Sequence, residues 1–283
     1  MNNRLFRIVV GVGILAGSVP SGAEEVRKIQ DNSFLLEEAY NQEDGVIQHI
    51  QAFQYLEGGD WAYLFTQEWP VPTQKHQLSY TIPYLRFDDE EAATGFGDVL
   101  LNYRYQAVLK GPVAFSPRIS LLLPTGNHEE GLGSDAWGVQ GNLPLSVELG
   151  DRWVTHWNLG ATVIPDAKGL DGSQATIAGF NYGASLIYCV NDNLNLMLEI
   201  AGNANEVVAD GGRVETENSL FLNPGLRFAI DCEAGLQIVP GLSFPIGIGP
   251  SEGEFGVFLY LSFEHPLFKP ESVGTFNPPG GGA

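Results

Sequence analysis

From Val46 to Phe263 apolar and polar residues alternate along the chain with a period of two, the pattern of β-strands with two unlike faces. Between Asp98 and Ala107, for example, Asp98, Leu100, Asn102, Arg104 and Gln106 interleave with Val99, Leu101, Tyr103, Tyr105 and Ala107. Segments at 137–149, 176–189 and 218–231 repeat the arrangement, and twelve such segments can be counted. Their approximate spans are 46–55, 61–69, 76–87, 97–109, 113–123, 137–149, 153–164, 176–189, 194–203, 218–231, 236–246 and 255–264. Strands in soluble sandwiches centre near 5–6 residues. The segments here match the roughly 9–11 tilted residues that a strand needs to cross a bilayer.

The connections sort by parity. Tight links follow the even-numbered segments, as at Lys110-Gly111-Pro112 and Gly150-Asp151-Arg152. Longer, acidic ones follow most odd-numbered segments, as at Asp88 to Gly95, Thr125 to Ala136, Pro165 to Gln174, Asn205 to Thr216 and Gly247 to Glu254. Short periplasmic turns opposite long external loops mark outer-membrane barrels. The expected fold is therefore an all-β, antiparallel transmembrane barrel of about twelve strands over 46–268. The last segment carries an apolar stripe of Phe255, Val257, Leu259, Leu261 and Phe263, similar to the closing strand that barrel assembly machinery reads. A Pro- and Gly-rich tail, 269–283, follows it and has the composition of a disordered segment.

The first 23 residues read as a cleaved secretory signal: Arg4 and Arg7, an apolar run from Ile8 to Gly17, then Ser21-Gly22-Ala23. That run is about 10 residues, against the roughly 20 of a membrane helix. Residues 24–45 precede the barrel. There Asn32 or Ser33 predicts the cap of a short helix over 34–40, as a lumen plug or at the periplasmic rim, with a plain linker as the other reading.

Composition narrows function. The full chain carries 14 basic and 34 acidic residues; removal of Arg4 and Arg7 gives 12 − 34 = −22. Such a chain is no partner for nucleic acid, which needs basic patches. No later stretch reaches the 18 apolar residues of a membrane helix, and mean hydropathy is −0.02, a value that alternating barrel strands readily give.

Catalytic and metal signals are thin. The histidines (His49, His76, His128, His156 and His265) lack metal-ligand spacing, and no Gly-x-Ser-x-Gly elbow occurs. His128 with Ser134 is the one local pair resembling a base and a nucleophile. Asp88 to Glu91, Asp166, Asp171 and Asp210 offer oxygens without the spacing of a calcium loop. No catalytic residue, metal or cofactor is expected. Cys189 and Cys232 fall two strands apart, about 9.6 Å, beyond the ~7 Å a disulfide tolerates.

If the apolar stripes face lipid, the lumen receives Asn102, Gln140, Asn223, Arg104, Arg118, Arg227, Glu148, Glu199 and Glu264. The charged members either form a constriction that orients a solute or pair across the lumen and seal it. Trp61, Trp69, Trp137, Trp153, Phe87 and Phe268, near strand ends, read as interfacial girdles.

Three stretches, Ile29 to Glu43, Gly95-Phe96-Gly97-Asp98-Val99 and Leu123-Pro124-Thr125-Gly126, together with the closing strand, resemble the exported outer-membrane family named "MetA-pathway of phenol degradation", also described as transporters. The resemblance covers most of the mature chain. It implies an outer-membrane barrel that takes up small, aromatic or otherwise hydrophobic solutes, and transfers no site residues. The expected function is a passive channel or uptake porin in the cell outer membrane, its partners being outer-membrane lipid, the assembly machinery and a small solute. A sealed structural or adhesive barrel and a lipid-acting barrel enzyme are the alternatives.

Overall fold

A computed structural model describes residues 29–88 and 92–267. The signal segment, Glu90 and Glu91, Phe268 and the tail lie outside the described residues. Twelve antiparallel strands run in simple neighbour order: β1 Val46–Leu56, β2 Trp61–Pro70, β3 His76–Phe87, β4 (Ala93–Phe96, Val99–Tyr105, Val108–Lys110), β5 (Val113–Phe115, Arg118–Leu123) and β6 (Gly138–Asn142, Leu145–Glu148). They continue with β7 Trp153–Lys168, β8 Gln174–Asn191, β9 Leu194–Ala209, β10 (Arg213–Phe228, Ile230–Asp231), β11 (Gln237–Ser243, Ile246–Gly247) and β12 Gly256–Pro266. The last strand pairs with the first from Val46↔Pro266 to Leu56↔Gly256, so the sheet closes without an edge.

Proline explains three of the breaks. Pro117, Pro144 and Pro245 sit between the pieces of β5, β6 and β11, where a missing N–H interrupts the ladder.

The period-two reading holds along the walls. Leu101, Ile119, Val139, Leu159, Leu198 and Leu259 are among the large side chains exposed on the outer surface. Their strand neighbours Asn102, Ser120, Asn158, Glu199 and Tyr260 are buried inside. An apolar exterior around a polar interior is the arrangement a membrane barrel requires, since every strand N–H and C=O is paired within the closed sheet.

The sequence-based spans are too short on one side. Pro165 to Gln174 and Asn205 to Thr216, expected as loops, are mostly strand: pairing continues to Lys168↔Gln174 and to Ala209↔Arg213. Beyond the ~9–11 residues that cross the bilayer, both hairpins project outward as ribbons. Their inner face stays covered, with Ala167, Val207 and Val208 buried and lining the chamber, but their outer face, as at Gln174 and Thr176, is no longer apolar, so the membrane signal ends and their strand character was hidden. A bulge between Ile164 and Ala167, with Asp166 at φ 55°, adjusts β7 to its neighbour. Phe87, expected in a girdle, packs inward against Leu85, Ala93 and Leu132.

If the Leu198 side chain faces hydrocarbon midway along β9, Leu198→Arg should lower folding stability in lipid by about 2–4 kcal/mol. Urea titration in vesicles reads this; a change near zero would place that wall outside the bilayer.

Candidate functional site: the plugged lumen

Residues 29–45 contain no helical turn and thread through the lumen as extended chain and bends. The expected helix over 34–40 is thus corrected. A helix would satisfy its own backbone, whereas here the backbone is satisfied by the barrel. Ile29 packs beside Ala229 and Val239. Leu35 reaches Glu199, and by Gln42 the segment has returned to Gln77 and Gln48 near the start of β1.

Three arginine and glutamine side chains hold plug carbonyls. Arg227 donates to the carbonyls of Asp31 at 2.5 Å, Asn32 at 2.7 Å and Ile29 at 2.9 Å. Arg104 donates to those of Glu38 at 3.1 Å and Tyr40 at 2.6 Å and to Asn41 Oδ1 at 3.0 Å. Gln106 Nε2 donates to the Ala39 carbonyl at 2.8 Å while its Oε1 accepts from the Asn41 amide at 2.9 Å. Other wall groups accept plug amides: Glu199 from Leu35 at 3.1 Å, Asn158 from Glu37 at 3.1 Å, Ser146 from Ala39 at 2.8 Å.

Plug side chains are held as firmly. Asp31 is 1% exposed and accepts from Gln48 at 3.0 Å, from Ser262 at 2.5 Å and from the Tyr260 hydroxyl. Glu37 meets Arg118, whose Nε and Nη2 donate to its carboxylate at 2.9 Å and 2.6 Å. Burial raises the Glu37 pKa, but the Arg118 guanidinium, with Arg104 farther off, outweighs it and holds the carboxyl below its ordinary range. Phe34 packs against Phe258 and Tyr260, with ring centroids 5.7 Å and 5.8 Å away. Two wall glycines make room for that ring: a Cβ at Gly241 would lie 2.3 Å from it, and one at Gly225 2.6 Å.

The nine residues proposed for the lumen therefore meet chiefly the plug and their own neighbours. Arg104, Arg227, Glu199 and Arg118 bind the plug directly. Asn223 donates to Glu199 at 2.6 Å, and Asn102 and Gln140 accept from Arg118 at 3.0 Å and 2.8 Å. Glu264 accepts from plug residue Gln42 at 3.3 Å, and Glu148 stands half-buried at the periplasmic end of β6. Neither an open charged constriction nor pairing across an empty lumen describes them. The sequence reading put Ser146 on the polar face of its strand without naming it for the lumen, and it missed Asp31, Glu37, Gln48 and Tyr260. Strand parity would have found Gln48 and Tyr260, and Asp31 and Glu37 required knowing that the segment enters the barrel.

Above the plug lies a cavity of about 360 Å³, floored by Asn32 to Glu37 and lined mostly by apolar side chains such as Ile50, Leu64, Leu100, Leu122 and Ile177. Polar groups interrupt the lining at both ends: Asn102, Arg118, Gln140 and Asn142 near the plug, and Lys168, Asn205 and Glu206 toward the outside. Its rim is set by Asp98. That buried carboxylate accepts from the amides of Thr125, Gly126 and Ser134 at 3.0, 2.9 and 2.8 Å and from the Ser134 hydroxyl at 2.7 Å. Thr125 returns a bond to the Gly97 carbonyl at 3.0 Å. The Gly-Phe-Gly-Asp and Leu-Pro-Thr-Gly stretches, far apart in sequence, thus form one tie that folds the 124–137 loop inward.

Ser134 is consequently committed to Asp98 and does not pair with His128, whose Nδ1 lies 3.9 Å from Asp135. A different Ser–His contact exists at Ser146 and His156, 2.7 Å apart, but both are 0–1% exposed beneath the plug. Among the described residues no three His, Cys, Asp or Glu converge as metal ligands, and Cys189 and Cys232 form no disulfide.

A family model described as "Putative MetA-pathway of phenol degradation" matches residues 41–231. The chain belongs to this family. Among solved structures, this family member is similar to an outer-membrane channel from Pseudomonas putida F1, with a TM-score of 0.60 and 15% identity over 80% of this chain and 97% of that one. The NanC porin is similar with a TM-score of 0.51 and 9% identity over 77% and 100%. No curated protein sequence matches it. At these identities the likeness bears on the fold, which is that of an outer-membrane β-barrel, and the apolar exterior agrees with that location.

Two substitutions probe the plug. Arg227→Ala should speed exchange of the plug's Leu35 amide at least about tenfold with the barrel intact, because one hydrogen bond to a charged group is worth about 1.5–3 kcal/mol. Gly241→Ala should act similarly by expelling Phe34, and unchanged exchange in both would mean the contacts do not hold the segment.

Proposed function

We propose that the protein is a passive uptake channel for small solutes with a substantial apolar body, closed at rest by its own N-terminal segment. The observation that carries this reading is the cavity above the plug: a mostly apolar chamber of about 360 Å³ inside an otherwise polar lumen. A barrel that served only as an envelope strut has no use for an apolar chamber facing its outer end. Small-molecule sites share this character, largely apolar walls with a few placed polar groups. The family's description and its structural relatives, an outer-membrane channel and a porin, support the same reading.

The plug supplies a two-state element. Its contacts are mainly hydrogen bonds from wall side chains to backbone, which water or solute can replace one at a time, so it can yield without unfolding the barrel. Passage follows from transient displacement of 29–45, whose far end joins β1 and stays tethered.

In planar bilayers the purified chain should show small or infrequent conductance steps. Arg104→Ala/Arg227→Ala, which removes the grip on five plug carbonyls, should give larger and longer ones. Silence from both proteins, each verified as folded by heat-modifiable gel mobility, would overturn the channel reading.

A further inference from the structure

Glu37 and Arg118 meet at the floor of the apolar chamber, and both line it. The guanidinium faces the carboxylate with Nε and Nη2, the two-pronged geometry with which arginine recognises carboxylates generally. Its side chain is 12% exposed and that of Glu37 23%, so the pair is reachable from the chamber.

Amides complete the pocket. Asn142 Nδ2 donates to Glu37 Oε1 at 3.0 Å, while Asn102, Ser120 and Gln140 take the remaining Arg118 donors. Asn142 is 1% exposed and lines the same chamber, and its Oδ1 has no hydrogen-bond donor. A buried carbonyl left unpaired costs free energy that an incoming donor would recover.

Glu37 is attached to the removable segment, whereas Arg118, Asn102, Gln140 and Asn142 belong to the wall. Once the plug moves, the wall retains a carboxylate-shaped site at the base of an apolar chamber. We infer that this wall site binds small organic anions, a carboxylate carried on an aromatic or aliphatic body, and that Glu37 is its built-in occupant. An entering anion competes with Glu37 for Arg118 and so releases the plug from the side on which the solute arrives. The carboxylate would sit on Arg118 and Asn142, its apolar body against Leu100 and Leu122, and a neighbouring hydroxyl would satisfy Asn142 Oδ1. Specificity then follows from two halves that must be met together. A neutral isostere leaves the guanidinium without its anion, and a bare small anion leaves the apolar wall unfilled.

This inference rests on the channel reading for its biological role, but the site itself is testable apart from conduction. Benzoate is the probe, with benzamide as neutral isostere and acetate as the anion lacking a body. Binding is read by NMR titration of the full-length protein in nanodiscs. Ionic strength is kept near 0.15 M, so that the acidic external loops are screened beyond about 8 Å.

Glu37→Gln, which weakens the resident ligand, should tighten benzoate at least about tenfold, leave benzamide within about twofold and leave acetate, which gains in proportion, far weaker than benzoate. Arg118→Gln should abolish benzoate binding, and Arg118→Lys should retain a weaker remnant. In the unsubstituted chain, benzoate should accelerate amide exchange at Glu37 and Leu36, and in Arg118→Gln it should not. If Glu37→Gln does not fold, Glu37→Asp, one methylene too short to reach, takes its place with the same expectation. Equal benzoate affinity with and without the Glu37 carboxylate, or equal affinity for benzoate and benzamide, overturns the inference. Conducting bilayers with no benzoate binding leave the channel reading and sink the anion site; benzoate binding with silent bilayers does the reverse.

Discussion

An irregular peptide inside a membrane barrel has nowhere to put its backbone hydrogen bonds except on the barrel wall. Residues 29–45 form no helix and join no sheet, and from Asp31 to Gln42 they are mostly buried, so apart from the Asn32 and Glu38 amides, which bond side chains of the segment itself, their N–H and C=O groups depend on the wall. The interior composition follows from this need. Arg227 and Arg104 spend their forked donors on carbonyls, and Glu199, Asn158 and Ser146 accept amides. A lumen lined in this way is polar because it binds a peptide, not because it is filled with solvent.

That division of labour also explains the charged side chains. Two arginines bind backbone carbonyls, which carry only partial charge, while their carboxylate contacts are long or absent, as with Arg104 and Glu68 at 3.7 Å. Arg118 differs in meeting a full carboxylate, and it does so where the lining opens into the chamber. The firm grip on the backbone and the accessible ion pair are therefore separate parts of one plug. The first fixes its position, and the second is exposed to whatever enters.

The Asp98 tie works on the opposite side of the chamber. Its four hydrogen bonds gather a loop whose inward course brings Leu132 against Leu85 and Ala93 and Gly133 and Ser134 to the chamber wall. Close approach demands glycine there: a Cβ at Gly126 would lie 2.4 Å from the Leu132 carbonyl, and one at Gly133 would meet Asp98 at 2.6 Å. The chamber is thus bounded below by the plug and at its rim by a loop pinned to β4, and both stretches that resemble the family's motifs serve that enclosure.

What the sequence determined by itself is the wall. Alternation from Val46 to Phe263 assigns each side chain to lipid or lumen, because a strand's period is two and one face must be apolar. Arg104, Arg118, Arg227, Glu199 and Glu264 meet the plug from the wall. Loop parity set which end is which, whereas the breaks at Pro117, Pro144 and Pro245 fell inside segments expected to be continuous. Tertiary structure alone decided what the lumen contains. Phe34-Leu35-Leu36-Glu37-Glu38 has a local pattern as fit for a helix as for a linker, and nothing in it states that Glu199 and Arg227 will supply its hydrogen bonds from more than 160 positions away. The ribbons beyond the bilayer were hidden for a related reason: above the lipid their outer face no longer has to be apolar, although Ala167, Val207 and Val208 stay buried inside. Local pattern reports the surroundings of a residue only when those surroundings are uniform, as lipid is. The interior of the barrel is not uniform, and its occupant becomes visible only when both ends of each contact are in place.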